Sequence, residues 1–253
     1  MSDGLVRCIW CGDPATTREH RFKKTQLNRM LQESSHLIFE GGDHPTRING
    51  ARASAMKFPM SLCATCNNVR SQPFDQAYDD FAAFVWDNPE YFRAAAIDWA
   101  SVLAGGIERA SDLCAYYVKN FMCRIAETGH SVPTELVDFL NREGPMPNAT
   151  IVPYKDFTGY DTWRALGLSA HGSQHPYANR MFSPHLTGDR PLDAFVCELQ
   201  DGPVGVMFWW DRHTETGINS FFQDRAPLRD RRDLPYPELH EPYWATYTHL
   251  GGQ

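Results

Sequence analysis

The sequence predicts an α+β protein with a zinc-bound N-terminal module, a helical middle region and a β-rich C-terminal region. Three observations carry this. Two CxxC pairs, Cys8-Ile9-Trp10-Cys11 and Cys63-Ala64-Thr65-Cys66, are separated by a long loop, a spacing that can set four thiolates around one tetrahedral zinc. Apolar side chains recur at helical spacing from Phe74 to Leu140. Two apolar runs, Leu192–Leu199 and Val204–Trp210, flank Asp201-Gly202, the signature of a hairpin. The boundaries that follow are 1–73, 74–148 and 149–253.

The elements read in order. Gly12-Asp13-Pro14 is a turn after the first knuckle, and a short strand should then deliver Glu19-His20 at its end. Leu27, Met30 and Leu31 predict a helix over Lys24–Gln32, and His36–Phe39 a strand ending at Gly41-Gly42. Ser54–Leu62 reads as the strand returning to the second knuckle. Asn67–Gln72 opens a helix that Pro73 either ends or restarts. Phe74, Tyr78, Phe81 and Val85 mark an amphipathic helix stopping near Asn88-Pro89. Tyr91–Leu103 reads as helix to Gly105-Gly106. Ile107–Glu127 follows with Leu113, Tyr117, Phe121 and Ile125 on one face, stopped at Gly129. A shorter helix runs from Pro133 to Leu140. Beyond Gly144–Asn148, Ile151–Tyr154 and Trp244–Thr248 add to the strands of the hairpin.

At 253 residues, with 42% hydrophobic and 13% aromatic residues, the chain can build a proper core and is not of disordered composition. No apolar stretch approaches the ~18 residues of a membrane span, and Met1–Arg7 has no apolar signal-peptide core. Seven cysteines, four of them in CxxC pairs, suit metal binding in a reducing compartment better than a disulfide framework. The expected location is the cytoplasm. The net charge of −7 is unevenly spread: residues 1–72 hold ten Lys and Arg against six Asp and Glu, a balance of +4, leaving −11 for the rest. A basic module on an acidic body is compatible with local phosphate binding.

Between the knuckles lies Glu19-His20, and Asn67 follows the last cysteine directly. A neutral imidazole can take a proton from water near pH 7. A carboxylate and an amide oxygen can ligate a hard divalent ion such as magnesium, which polarises a phosphoryl oxygen. The string Cys-x-x-Cys, Glu-His-x-Phe, Leu-Cys-x-x-Cys-Asn-x-x-Arg resembles the HNH endonucleases of the zinc-stabilised ββα-metal type, over residues 5–75. The resemblance implies His20 as general base, Glu19 and Asn67 as ligands of one Mg2+ or Mn2+, Arg70 as a basic contact, and Cys8, Cys11, Cys63 and Cys66 as zinc ligands. It implies hydrolysis of DNA, double-stranded as the first expectation, leaving 5′-phosphate and 3′-hydroxyl ends. Arg18, Arg21, Lys23 and Lys24 flank His20 where phosphate contacts would serve. The family's middle Asn, which braces the histidine loop, has no counterpart in Met56–Leu62; Asn49 is the nearest asparagine.

The remaining candidates read blandly. Asp75 and Asp79, one turn apart, are expected on a solvated acidic face, and Asn68 in a capping role. Cys114, Cys123 and Cys197 are expected in the core. His171, His175 and His185 lie in Gly/Ser/Pro-containing loop sequence, and one of Trp209 and Trp210 should face the core. The rival to the nuclease is a non-catalytic zinc-ribbon module that binds nucleic acid or protein.

Overall fold

The computed structural model describes residues 5–33, 37–39, 45–165, 177–178, 194–213 and 217–234. His171, His175, His185, Gly41-Gly42 and Trp244–Thr248 lie outside the described residues.

The first knuckle closes as expected: the Gly12 N–H donates to Cys8 O (2.9 Å) and the Cys8 N–H to Asp13 O (2.7 Å), with Gly12 at φ 79°, a conformation glycine enters without steric cost. The chain then runs antiparallel to residues 57–62, but in separate bridges, Thr17↔Leu62 and His20↔Lys57, rather than in long strands. The expected strand over Ser54–Leu62 is broken. Ser54–Met56 is a 3-10 turn, and Pro59 brings no N–H to a ladder. Helix α1 (Lys24–Glu33) and a small hairpin of β1 (Leu37–Phe39) and β2 (Thr46–Ile48) fill the loop between the knuckles.

The second knuckle opens into a π-helical turn, Thr65–Arg70, followed by α2 (Gln72–Asp87) with Pro73 in its first turn. The expected helix over Tyr91–Leu103 is a composite. A 3-10 stretch (Pro89–Arg93), strand β3 (Ala96–Asp98) and one helical turn, α3 (Trp99–Val102), stand there instead. Ala94–Ala96 has helical propensity, but β3 pairs with β8 (Arg225–Pro227) and buries Ile97 completely, so tertiary pairing overrides it. Helices α4 (Gly106–Glu127) and α5 (Thr134–Leu140) complete the middle.

The C-terminal region holds a mixed five-stranded sheet, order β5-β6-β7-β4-β9, from β4 (Ala149–Lys155), β5 (Tyr177–Ala178), β6 (Ala194–Asp201), β7 (Val204–Asp211) and β9 (Arg229–Asp230). The β6–β7 hairpin turns through Gly202-Pro203, Gly202 at φ 56°, a Gly-first two-residue loop. Helix α6 (Phe157–Ala165) was not expected in this region. Among the described residues no helix is long and apolar enough to cross a membrane.

Helix α4 is the axis. Every residue from Leu113 to Ile125 is buried. Tyr116 stacks on Tyr78 of α2 (centroids 4.0 Å) and Phe121 on Phe208 of β7 (4.6 Å). One apolar core runs from Cys8 and Trp10 through α2 and α4 to Phe208 and Leu228, so the three regions of the sequence share an interior. Cys114, Cys123 and Cys197 lie in it, as does Trp210, whose indole N–H reaches Glu135 (2.6 Å).

The hairpin tip buries a carboxyl. Asp201 accepts from Tyr78 Oη (2.7 Å) and Gln26 Nε2 (3.4 Å). Burial pushes its pKa up to about 6, against the pull of those two donors. A folded-state value above the unfolded ~3.9 means the folded chain binds the proton more tightly. The stability this contributes is therefore fully present below about pH 4 and lost as the pH rises through about 6. Asp201→Asn should be more stable than the natural chain by about 3 kcal/mol at pH 7.5 and nearly indistinguishable near pH 4. Urea denaturation at the two pH values checks this, and equal effects at both would refute it.

Candidate metal centre and the Glu19–His20 site

The four knuckle cysteines converge. The ligand sulfurs of Cys8, Cys11, Cys63 and Cys66 all lie within 4.8 Å of one another, with Cys11 Sγ and Cys63 Sγ 3.6 Å apart. Cys66 is fully buried and its thiol pKa is pushed up by that burial, whereas the Cys66 N–H, donating to the Cys63 sulfur at 3.4 Å, lowers Cys63. Four sulfurs this close cannot all ionise without a cation between them, and the donor set is that of a structural zinc site. The cluster can hold a metal ion such as zinc.

Arg70 serves this cluster. Its guanidinium lies over Trp10 (4.4 Å), donates to Asn141 Oδ1 (2.6 Å) and reaches Cys66 Sγ (3.7 Å), while Trp10 Nε1 donates to the same Asn141 oxygen (2.8 Å). The knuckles are thus clasped to the end of α5.

Glu19 and His20 sit where the first extended segment meets α4. His20 is half-buried. Burial lowers its pKa, only partly opposed by Glu19, which favours the neutral imidazole. Its backbone is gripped from α4: Asn120 Nδ2 donates to His20 O (3.4 Å) and Arg21 O (3.3 Å), Arg124 Nη2 to Arg21 O (3.3 Å), and Arg124 Nε to Asn120 Oδ1 (2.8 Å). Asn120, a hundred residues downstream and absent from the sequence reading, thus holds the carbonyls of His20 and Arg21. Lys119, Asn120 and Arg124 are the polar and charged residues within the buried stretch of α4, Leu113 to Ile125.

Five buried side-chain nitrogen or oxygen atoms have no hydrogen-bond partner among the described residues, and two of them are His20 Nε2 and Asn67 Oδ1. Buried polar atoms are normally satisfied, so these two, like Trp99 Nε1, Tyr116 Oη and Trp209 Nε1, keep unused hydrogen-bonding capacity. Glu19 differs. Its Oε1 accepts from the His20 N–H (3.0 Å) and its Oε2 pairs with the Lys119 ammonium (3.2 Å). Lys119 is 1% exposed and also contacts Asp75 (3.0 Å), which pairs in turn with Lys23 (3.0 Å) and accepts from Ser71 Oγ (2.9 Å). Burial alone would lower the Lys119 pKa, but Glu19 and Asp75 outweigh it and hold it raised. For Asp75, burial pulls the other way and Lys119 and Lys23 hold the carboxyl below its ordinary value. Asp75 is therefore an internal ion-pair partner, not part of a solvated face; Asp79 lies at the rim, against Thr25 Oγ1 (2.5 Å) and Lys23 (3.8 Å). Asn68 is exposed.

The residues expected to meet phosphate are mostly engaged within the chain. Arg18 donates to the carbonyls of Phe58 (2.8 Å), Ser54 and Lys57. Arg21 forms a two-pronged pair with Glu127 and lies over Phe58. Lys23 is held by Asp75 and Asp79. Lys24 is exposed and has no hydrogen bond or ion pair among the described residues.

Comparison with protein-family models, curated proteins and solved structures finds no match to this chain. The functional reading therefore rests on the site itself.

A metal at the knuckles would add four ligand bonds between segments already joined by backbone hydrogen bonds such as Ile9 N–H to Ser61 O and Thr16 N–H to Leu62 O, so Cys66→Ser should lose bound zinc and destabilise the N-terminal module. Zinc content by atomic absorption and a melting curve decide this. A natural chain free of zinc, or a mutant melting like it, would be the contrary result.

Proposed function

We propose that residues 1–73 form a zinc-stabilised, metal-dependent endonuclease module that hydrolyses DNA phosphodiester bonds, with His20 as general base. The observation that supports the reading is that His20 Nε2 and Asn67 Oδ1 are both buried without a hydrogen-bond partner among the described residues, in a segment whose four knuckle cysteines cluster. His20 Nε2 has no hydrogen-bond partner among the described residues, and its lowered pKa keeps it a proton acceptor at neutral pH. Its backbone carbonyl is held by Asn120, which Arg124 in turn contacts. Asn67 fits a hard-ion ligand, since its oxygen is buried and unshared. When bound there, Mg2+ or Mn2+ supplies charge to a phosphoryl oxygen and the leaving oxygen. Glu19 fits that role less well, because both of its oxygens are occupied. Zinc at the cysteines is structural in this reading.

The substrate is DNA, double-stranded in the first instance. With Arg18, Arg21, Lys23 and Arg70 engaged internally, Lys24 is the phosphate contact the geometry favours. Reversing that single charge, Lys24→Glu, should weaken DNA binding and reduce the slope of log affinity against log salt by roughly one. Arg18→Gln should instead act through stability. Fluorescence anisotropy across a salt series separates them, and a Lys24 variant with an unchanged slope would move the contact elsewhere.

The same internal engagement of basic residues is what favours the rival, a non-catalytic zinc-ribbon binding module. Plasmid nicking decides between them. His20→Ala should keep zinc and melting behaviour while nicking falls by roughly 10²–10⁴-fold. Asn67→Ala should lose activity that high Mn2+ partly restores, because it lacks a ligand and not a proton acceptor. If His20→Ala nicks as fast as the natural chain, His20 is not the base; if the natural chain itself nicks no faster with Mg2+ than with EDTA, the binding module takes the nuclease's place.

A further inference from the structure

Among the described residues, Lys119 is a charged side chain sunk in the middle of the longest helix, 1% exposed, with two carboxylates from distant segments on its ammonium: Glu19 at 3.2 Å and Asp75 at 3.0 Å. Glu19 comes from the extended segment before His20, and Asp75 from the first turn of α2 behind the second knuckle. A cation coordinated by two carboxylates at the place where an ion ligand is expected has the electrostatic character of a bound metal. It is, however, covalently part of the chain. Its other neighbours fit a permanent occupant: the Tyr116 ring lies under the ammonium (5.7 Å), and Ser71 and Lys23 complete the Asp75 carboxylate. Lys23 adds a second ammonium to Asp75 and is shared at the rim with Asp79 (3.8 Å), so Glu19 and Asp75 are both paired without any added ion.

We propose that Lys119 is the resident cation of the Glu19–Asp75 pair, standing there in place of a divalent ion, so that any Mg2+ or Mn2+ in the natural protein is held without Glu19. Lys119 is then a positioning residue. It fixes Glu19 so that the Oε1 of that residue holds the His20 N–H (3.0 Å), and it keeps the carboxylates from repelling a phosphodiester. The inference rests on the nuclease reading only in taking Glu19 as the place where an ion would be sought.

The test is metal binding by the zinc-loaded full chain without DNA, read by the electron paramagnetic resonance of Mn2+. Glu19→Gln should leave the Mn2+ affinity of the natural chain within about two-fold. Lys119→Met, which strips the resident cation from two carboxylates, should raise it by about ten-fold or more. Adding Glu19→Gln to Lys119→Met should abolish that gain, and Lys119→Arg should behave like the natural chain. Because removing one partner of a buried pair can unfold the chain, a second measurement uses the natural protein. The Nζ resonance of Lys119, assigned by its loss in Lys119→Arg, should stay in place when millimolar Mg2+ is added. A ten-fold loss of Mn2+ affinity in Glu19→Gln overturns the proposal. So does a folded Lys119→Met with no gain, or a Lys119 resonance displaced by Mg2+. None of these readouts involves cleavage, so an inactive nuclease and a wrong assignment of Lys119 give different results.

Discussion

A helix buried on every side has to satisfy its own charged residues from whatever packs against it, and that requirement at Lys119 organises this protein. An unpaired ammonium in the interior costs several kcal/mol. The chain meets it with Glu19 and Asp75, one from before the first long loop and one from behind the second knuckle. Asn120 and Arg124, from the same helix, take the carbonyls of His20 and Arg21. Docking α4 thus fixes the backbone on both sides of the His20 ring, with no need for a long strand at that point. The isolated bridges Thr17↔Leu62 and His20↔Lys57 suffice because the helix supplies the missing rigidity.

Two constraints of different size then act on the N-terminal segment. Structural zinc is worth about 10–16 kcal/mol in isolated peptides, enough to fold a stretch whose own core is small. Breaking a buried ion pair costs about 3–5 kcal/mol, too little to fold the segment but enough to set its register against α4. The cysteine cluster therefore decides whether the knuckles come together, and the Lys119 face decides how they sit on the rest of the molecule. The Arg70–Trp10–Asn141 clasp joins the two, since it ties the knuckles to the end of α5 as well. Arg70, four places after the last knuckle cysteine, is thus engaged within the chain although it is exposed.

What the sequence made legible follows from which forces are local. The cysteine cluster was legible because metal ligation imposes a spacing, and α1, α2, α4 and α5 because one-sided burial imposes a period. The hairpin tip was legible from Gly202 and its apolar flanks. Strand β3 was not, since Ala94–Ala96 favours helix and its partner β8 lies far downstream. Lys119 was not legible for a related reason. On a helix with Leu113, Tyr117, Phe121 and Ile125 on one face, the opposite side is expected to be wet, and only the packing of the knuckle segment against it makes Lys119, Asn120 and Arg124 interior residues. The charge count misled in the same way: the +4 balance of residues 1–72 was real, but Arg21 is neutralised by Glu127 and Lys23 by Asp75, both beyond that segment or on its edge.

This pattern of neutralisation also gives the C-terminal sheet a part in the site. Asp201 at the tip of the β6–β7 hairpin holds Gln26 of α1 and Tyr78 of α2. Tyr78 stacks on Tyr116, whose ring lies against both Lys119 and Lys23. A continuous run of contacts thus leads from the sheet to the floor beneath His20. Helix α1 carries Lys24 at its start and is tethered to the sheet through Gln26. Whatever the sheet's opposite face engages, a shift of the hairpin tip would have to move Gln26 and Tyr78 together. The C-terminal region is therefore packed, through Tyr78 and Tyr116, against the residues that hold Glu19, although its sequence carries no sign of that contact.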